Sequence, residues 1–80
     1  MAYIIKSDST IVQLPIGKKY SLHELQAVVG GYIELIPGSG GRAYCNEDGK
    51  RLKLPINERA SAQFMQHLVG DVIILEAGDR

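Results

Sequence analysis

The fold is decided by one stretch of the sequence, Leu25-Gln26-Ala27-Val28-Val29-Gly30-Gly31-Tyr32-Ile33-Glu34-Leu35-Ile36. Before the two glycines, apolar residues recur at helical spacing. Ser21 and Glu24 are spaced as a capping box at the start of this helix, and Gly30 stands where a left-handed residue ends it. After the glycines the period is two, which predicts a half-buried strand over residues 32–36 that ends at Pro37. The glycine pair therefore predicts a helix that folds back on its own strand.

Outward from this unit, short alternating segments predict further strands, separated by turns at residues 7–9 and 47–50. The predicted strands are residues 2–6, 10–14, 32–36, 42–46, 51–54 and 71–76. Residues 16–20 lead into the first helix, a second helix runs from its cap at Asn57 to about Val69 with Gly70 at its end, and residues 77–80 form a frayed tail. The last strand is apolar on both faces, which predicts a central position or a subunit contact.

The order of these elements is β-β-α-β-β-β-α-β. It predicts one α+β domain over residues 1–80, with an antiparallel or mixed sheet of about five to six strands and two short helices on one face.

The composition limits the class of protein. The 80 residues carry nine basic and nine acidic side chains, so the formal net charge is zero. A neutral chain lacks the electrostatic attraction that nucleic-acid polymers or anionic membranes require. No apolar run approaches the length of a membrane span, and residues 1–6 have the pattern of a strand, so we expect no signal peptide. The single Cys45 allows neither an internal disulfide nor a cysteine-based zinc site, which favours a reducing cytoplasm. A domain this small is marginally stable, and homo-oligomerisation is one common remedy.

Catalytic residues have little support in the sequence. His23 and His67 lie on predicted helices without obvious partners, and no known catalytic motif, metal motif or phosphate loop is present. Cys45 lies in a strand, where a buried and inert thiol is expected. The glycine-rich residues 38–41 lack the helix that follows a phosphate loop. We therefore expect that the protein has no enzymatic activity and binds no metal or cofactor. A phosphodiester hydrolase would need an acid–base pair that the sequence does not show.

A second group of residues has the chemistry of a nucleotide site. Arginine side chains contact phosphates, an aromatic ring stacks on a base, and amides bind a base or ribose. The candidate ligand-binding residues are Gly30, Gly31, Tyr32, Arg42, Tyr44, Asn46, Arg51, Asn57 and Arg59. The alternative is structural: a charged solvent face with Tyr44 half buried, Asn46 in a turn, Asn57 as a helix cap, and the glycine pair as a simple helix end.

Four spaced blocks also resemble a known family. They are Leu25-Gln26-x-x-Val29-Gly30-Gly31-Tyr32-Ile33-Glu34, then Asn46-Glu47-x-Gly49-Lys50, then Leu54-Pro55-x-Asn57, then Gly70-Asp71-Val72-Ile73-Ile74. The sequence is similar in these blocks to a family of small proteins, common on phages and mobile elements, that is described only as a domain of unknown function. The resemblance implies a phage protein that acts in the cytoplasm of a host bacterium, and it carries over no catalytic residue.

Two functions follow as hypotheses. By analogy with small phage anti-defence sponges, the chain is expected to be a homo-oligomer that sequesters a nucleotide immune signal, of the cyclic ADP-ribose or cyclic oligonucleotide type, at subunit contacts. The alternative is a protein–protein interaction module that inhibits or adapts a host protein through a sheet edge or a helix face.

Overall fold

A computed structural model describes residues 2–15 and 18–75. The elements are β1 (Tyr3–Ile5), β2 (Ile11–Gln13), α1 (Leu22–Val29), β3 (Ile33–Leu35), β4 (Ala43–Asn46), α2 (Glu58–Phe64) and β5 (Val72–Ile74). The predicted α+β class is confirmed, and the order is β-β-α-β-β-α-β. The predicted lead through Ile16 and Gly17 and the predicted tail of residues 77–80 lie outside the described residues, as do Met1 and Glu76.

The strands form one antiparallel sheet in the order β2-β1-β5-β4-β3. β5 pairs with β1 through Ile73↔Ile4 and with β4 through Ile73↔Tyr44. All three residues of β5 are buried, so the prediction that the two-faced apolar strand is central is confirmed. Within the described part of the chain, β2 and β3 form the two edges of the sheet.

The two faces of the sheet carry separate cores. On the α1 face, Leu25 and Val29 pack with a cluster that includes Ile73 and Tyr44. On the α2 face, Ala60 lies in a second cluster. The other buried members of that second cluster are Ile5, Ile36, Ala43, Leu68, Val72 and Ile74. Neighbouring residues of β4 and β5 belong to opposite clusters, as the strand period requires. The two helices therefore lie on opposite faces, and the prediction of both on one face was wrong.

The first helix is built as its sequence predicts. The hydroxyl of Ser21 accepts a hydrogen bond from the Glu24 amide (3.2 Å), and the Glu24 carboxylate accepts one from the Ser21 amide (3.1 Å). Gly30 follows with φ of 80°, and its amide donates to the Gln26 carbonyl. Hydrogen bonds to Lys18 and to the Ser21 amide lower the pKa of Glu24 below its ordinary value. Within the described residues, neither α1 nor α2 has the length and apolar composition of a membrane-spanning helix.

The second helix is shorter than predicted. It ends at Met65, which adopts a left-handed conformation with φ of 54°, and not at Gly70. Beyond Met65 the chain returns toward the start of the helix, because the Ser61 hydroxyl exchanges hydrogen bonds with the backbone of Leu68. The backbone N–H of Asn57 also donates a hydrogen bond to the Leu68 carbonyl (2.8 Å). These contacts within the fold outweigh the helical period that the sequence shows.

The strand predicted over residues 51–54 is absent, and the segment is a series of turns. The Leu52 amide donates to the Asp48 carbonyl (2.8 Å), and the Leu54 amide donates to the Gly49 carbonyl (3.0 Å). The physical reason lies in the sheet order. β4 already pairs with β3 on one edge and with β5 on the other, so no edge of β4 remains for a hairpin partner.

Candidate functional site

Asn46 uses its amide side chain to hold the fold together. It is buried at the end of β4, where its Nδ2 group donates to the Val29 carbonyl (3.0 Å) and its Oδ1 atom accepts from the Asp48 amide (2.8 Å). Gly31 lies directly against it, since a Cβ added there would come within 3.0 Å of Asn46 Nδ2. The glycine therefore permits the close approach that ties the end of α1 to the turn after β4.

Asn57 has a similar structural role on the opposite face. Its side chain is fully buried, and its Oδ1 atom accepts a hydrogen bond from the Ala60 amide (3.0 Å), which caps α2. Its Nδ2 group donates to the carbonyls of Ile5 (2.8 Å) and Gly70 (2.9 Å). One side chain thus joins α2, β1 and the turn before β5.

The remaining candidate residues lie apart from one another. The Tyr44 ring is buried in the core on the α1 face, and its hydroxyl lies 3.5 Å from the Gly41 carbonyl. Arg42 precedes β4 and Arg59 lies in the first turn of α2, both exposed. Arg51 is exposed and pairs with Asp48 (3.2 Å), a contact that raises the pKa of the guanidinium.

The structure thus places Gly31, the end of α1 and Asn46 side by side. Tyr32 is close to this group, because the Glu47 amide donates to its carbonyl (2.9 Å), and its side chain is 70% exposed. The structure does not gather the whole predicted set around one pocket. Binding of a nucleotide by these residues stays a prediction.

A cleft that the sequence did not predict lies on the α2 face, beside β3. It has a volume of about 210 Å³. Its lining residues come from β3 and the two residues after it, from β4 and the turn after it, and from the segment after α2: Glu34, Ile36, Pro37, Cys45, Asn46, Glu47, Lys50, Gln66, His67, Leu68 and Val69. Ligand pockets for drug-sized molecules typically measure about 300–1,000 Å³. The cleft therefore has the size for a single side chain or a similarly small group.

The charges around this cleft are mainly acidic. Glu34 and Glu47 carry carboxylates, and Lys50 carries an ammonium group. Cys45 lies directly across from Glu34 in the sheet register, and burial raises the pKa of its thiol, with a further increase from the Glu34 charge and a smaller decrease from Lys50. The thiol is therefore neutral at physiological pH. Within residues 2–15 and 18–75, no three acidic, histidine or cysteine side chains come together as metal ligands.

The edge strand β3 borders the same cleft and presents an open backbone. The amide of Ile36 donates to the Ala43 carbonyl, and the amide of Glu47 donates to the Tyr32 carbonyl, so residues 32, 34 and 36 face β4. The N–H and C=O groups of Ile33 and Leu35 therefore face away from the sheet. They have no hydrogen-bond partner among the described residues. The edge ends at Pro37, whose carbonyl accepts a hydrogen bond from the Gln66 side chain.

Sequence reasoning missed this edge and this cleft for the same reason. Both depend on which strands become neighbours, and the order of strands in a sheet is not a local property of the sequence. One available signal was the alternation in residues 32–36, which placed Glu34 on the face opposite Ile33 and Leu35.

Comparison with known proteins identifies a family for this chain. The family model described as "Domain of unknown function (DUF3846)" matches residues 1–80. No curated protein and no solved structure matches the chain.

Proposed function

We propose that this chain, which belongs to the DUF3846 family, is a non-enzymatic protein-binding module that accepts an extended segment of a partner protein as an additional strand beside β3. The observation that carries the proposal is the outward row of backbone groups on Ile33 and Leu35. Folded proteins usually cover or interrupt such a row, because it is a template for strand addition.

The side chains at this edge also favour a partner. Leu35 is 47% exposed within the strand, and Tyr32 is largely exposed just before it. Aromatic and aliphatic side chains of this kind add contact area when a new strand is placed beside them.

The expected affinity is modest. Four backbone hydrogen bonds of about 0.5–1.5 kcal/mol each must offset the ordering of the partner segment. Backbone pairing alone therefore gives weak binding, and side-chain contacts next to the strand decide which segments bind. A transient interaction is the natural use of an edge only three residues long.

The test begins with a display library of short random peptides selected against the wild-type protein. Leu35→Pro removes an outward N–H group without breaking a hydrogen bond to β4. Ile11→Pro is the matched control, because Ile11 is an outward residue of the opposite edge strand and is exposed to nearly the same extent, 46% against 47%. Urea unfolding of both variants checks that the fold is retained.

We expect selected peptides to lose at least about tenfold in affinity for Leu35→Pro and to bind Ile11→Pro as they bind the wild type. In the complex, the Ile33 and Leu35 amides should become protected from hydrogen exchange. Peptides that bind Leu35→Pro as tightly as the wild type, or a selection that yields no binder, would refute the proposal.

The nucleotide-sequestering function predicted from the sequence stays a prediction, as do the phage origin, the cytoplasmic location in a host bacterium and homo-oligomerisation. Nucleotide binding is tested by stripping the protein of small molecules and measuring its melting temperature with ADP-ribose derivatives and cyclic dinucleotides. A stabilising ligand would favour this function over strand addition if Leu35→Pro left its binding unchanged.

A further inference from the structure

We infer that the partner segment carries a lysine or arginine side chain opposite Glu34, directed along the α2 face toward the cleft. This inference rests on the proposed strand addition at β3 and names the chemistry of the partner residue. Strand addition that uses the outward groups of Ile33 and Leu35 places one partner residue directly across from Glu34, with the two side chains on the same face.

The position of Glu34 creates a continuous row of side chains across the sheet. Cys45 on β4 lies opposite Glu34, and the added residue would be the third member of the row. Adjacent strands lie about 4.8 Å apart. A long side chain on the added strand can therefore pass over Glu34 and reach the cleft, whereas a short one cannot.

The lining of the cleft suits both the aliphatic stem and the charged head group of a long basic side chain. Its apolar lining includes Ile36, Leu68 and Val69, which suit an aliphatic stem. Its charged lining has two carboxylates, Glu34 and Glu47, against one ammonium group, Lys50. The excess of negative charge favours a cationic head group.

The same carboxylate disfavours a second copy of this chain as the occupant. A two-fold antiparallel pairing of β3 that joins Ile33 to Leu35 satisfies all the outward groups of the strand. It also sets Glu34 directly opposite Glu34 of the second copy, and like charges in that position are destabilising. A heterologous segment with a basic residue removes this repulsion and replaces it with an attraction.

The test uses the peptides selected against the wild-type protein. We expect lysine or arginine to be enriched at one position of the peptides. When the same library is selected for binding to the Glu34→Lys variant, we expect aspartate or glutamate to be enriched at that position instead. For a single peptide, changing that lysine to glutamine should weaken binding about threefold, and changing it to glutamate about tenfold. The lysine-to-glutamate peptide should bind Glu34→Lys better than it binds the wild type.

Alkylation of Cys45 supplies a second measurement at the site. The lysine peptide should slow the reaction of Cys45 with iodoacetamide, and the same peptide with alanine at that position should bind without slowing it. Binders that are sensitive to Leu35→Pro but show no charge preference at any position would overturn this inference and leave the proposed function standing. A failure to obtain any binder sensitive to Leu35→Pro would instead overturn the proposed function.

Discussion

Replacing Asn57 with alanine is expected to destabilise the protein more than loss of a helix cap alone can explain. The side chain is 0% exposed and makes three hydrogen bonds, one to the Ala60 amide and two to the carbonyls of Ile5 and Gly70. Loss of a helix N-cap costs about 1 kcal/mol. Each lost hydrogen bond from the Nδ2 group to a buried carbonyl adds about 0.5–1.5 kcal/mol, so the total loss is about 2–4 kcal/mol.

That loss is large compared with the stability available to a domain of this size. At about 0.05–0.15 kcal/mol per residue, the 80-residue chain has a free energy of unfolding of about 4–12 kcal/mol. Asn57→Ala should therefore lower the urea midpoint by about 2 M or more, or unfold the protein in buffer. The assay is urea unfolding followed by circular dichroism.

Two further variants make the reasoning refutable. Ser21→Ala removes the exposed cap of α1, which accepts one amide, and should cost only about 1 kcal/mol. Asn57→Asp keeps a capping oxygen but removes both donors and sets a carboxylate against two carbonyls, so it should be at least as damaging as alanine. If Asn57→Asp is near wild type in stability, or Asn57→Ala costs no more than Ser21→Ala, the role assigned to the Nδ2 group is wrong.

Three other predictions concern stability and reactivity. Gly70→Ala should cost about 1 kcal/mol more than Gly40→Ala in urea unfolding, because both positions have positive φ but only at Gly70 would the new Cβ come within 2.8 Å of the Leu54 Cδ1 methyl group, which would have to move. Equal losses would contradict this. Met65→Gly should raise the free energy of unfolding by about 0.5–1 kcal/mol, because glycine adopts a positive φ without strain and the Met65 side chain, 90% exposed, contributes little packing. Any destabilisation would argue against backbone strain at Met65. Cys45 should react with iodoacetamide more slowly in the folded than in the urea-unfolded chain near pH 8, because its raised pKa keeps the thiol protonated. For the same reason, the contribution of Cys45 to the free energy of unfolding should fall as the pH rises above the ordinary thiol pKa. Equal alkylation rates would contradict the raised pKa.

Much of the fold follows from local signals in the sequence. The capping box at Ser21 and Glu24 and the left-handed Gly30 involve residues only a few positions apart, so their chemistry is legible without the rest of the chain. The central position of β5 was also predictable, because a strand with apolar residues on both faces must be covered on both.

The candidate site was predictable only in part. The alternation around Glu34 placed this residue correctly on the face opposite Ile33 and Leu35. The sequence predicts Asn46 and Asn57 as ligand contacts because amides bind nucleotides. In the structure their amides bind distant backbone carbonyls, of Val29 and of Ile5, which no spacing in the sequence indicates.

By itself, the sequence determined where the two helices begin, which strand is central, and that the formal net charge is zero. The tertiary structure alone decided that the helices lie on opposite faces, that residues 51–54 form turns, and that β3 is an edge with a cleft beside it. The physical reason is range. Capping and periodicity act over a few residues, whereas the order of strands in a sheet is set by hydrogen bonds and packing between segments far apart in the chain.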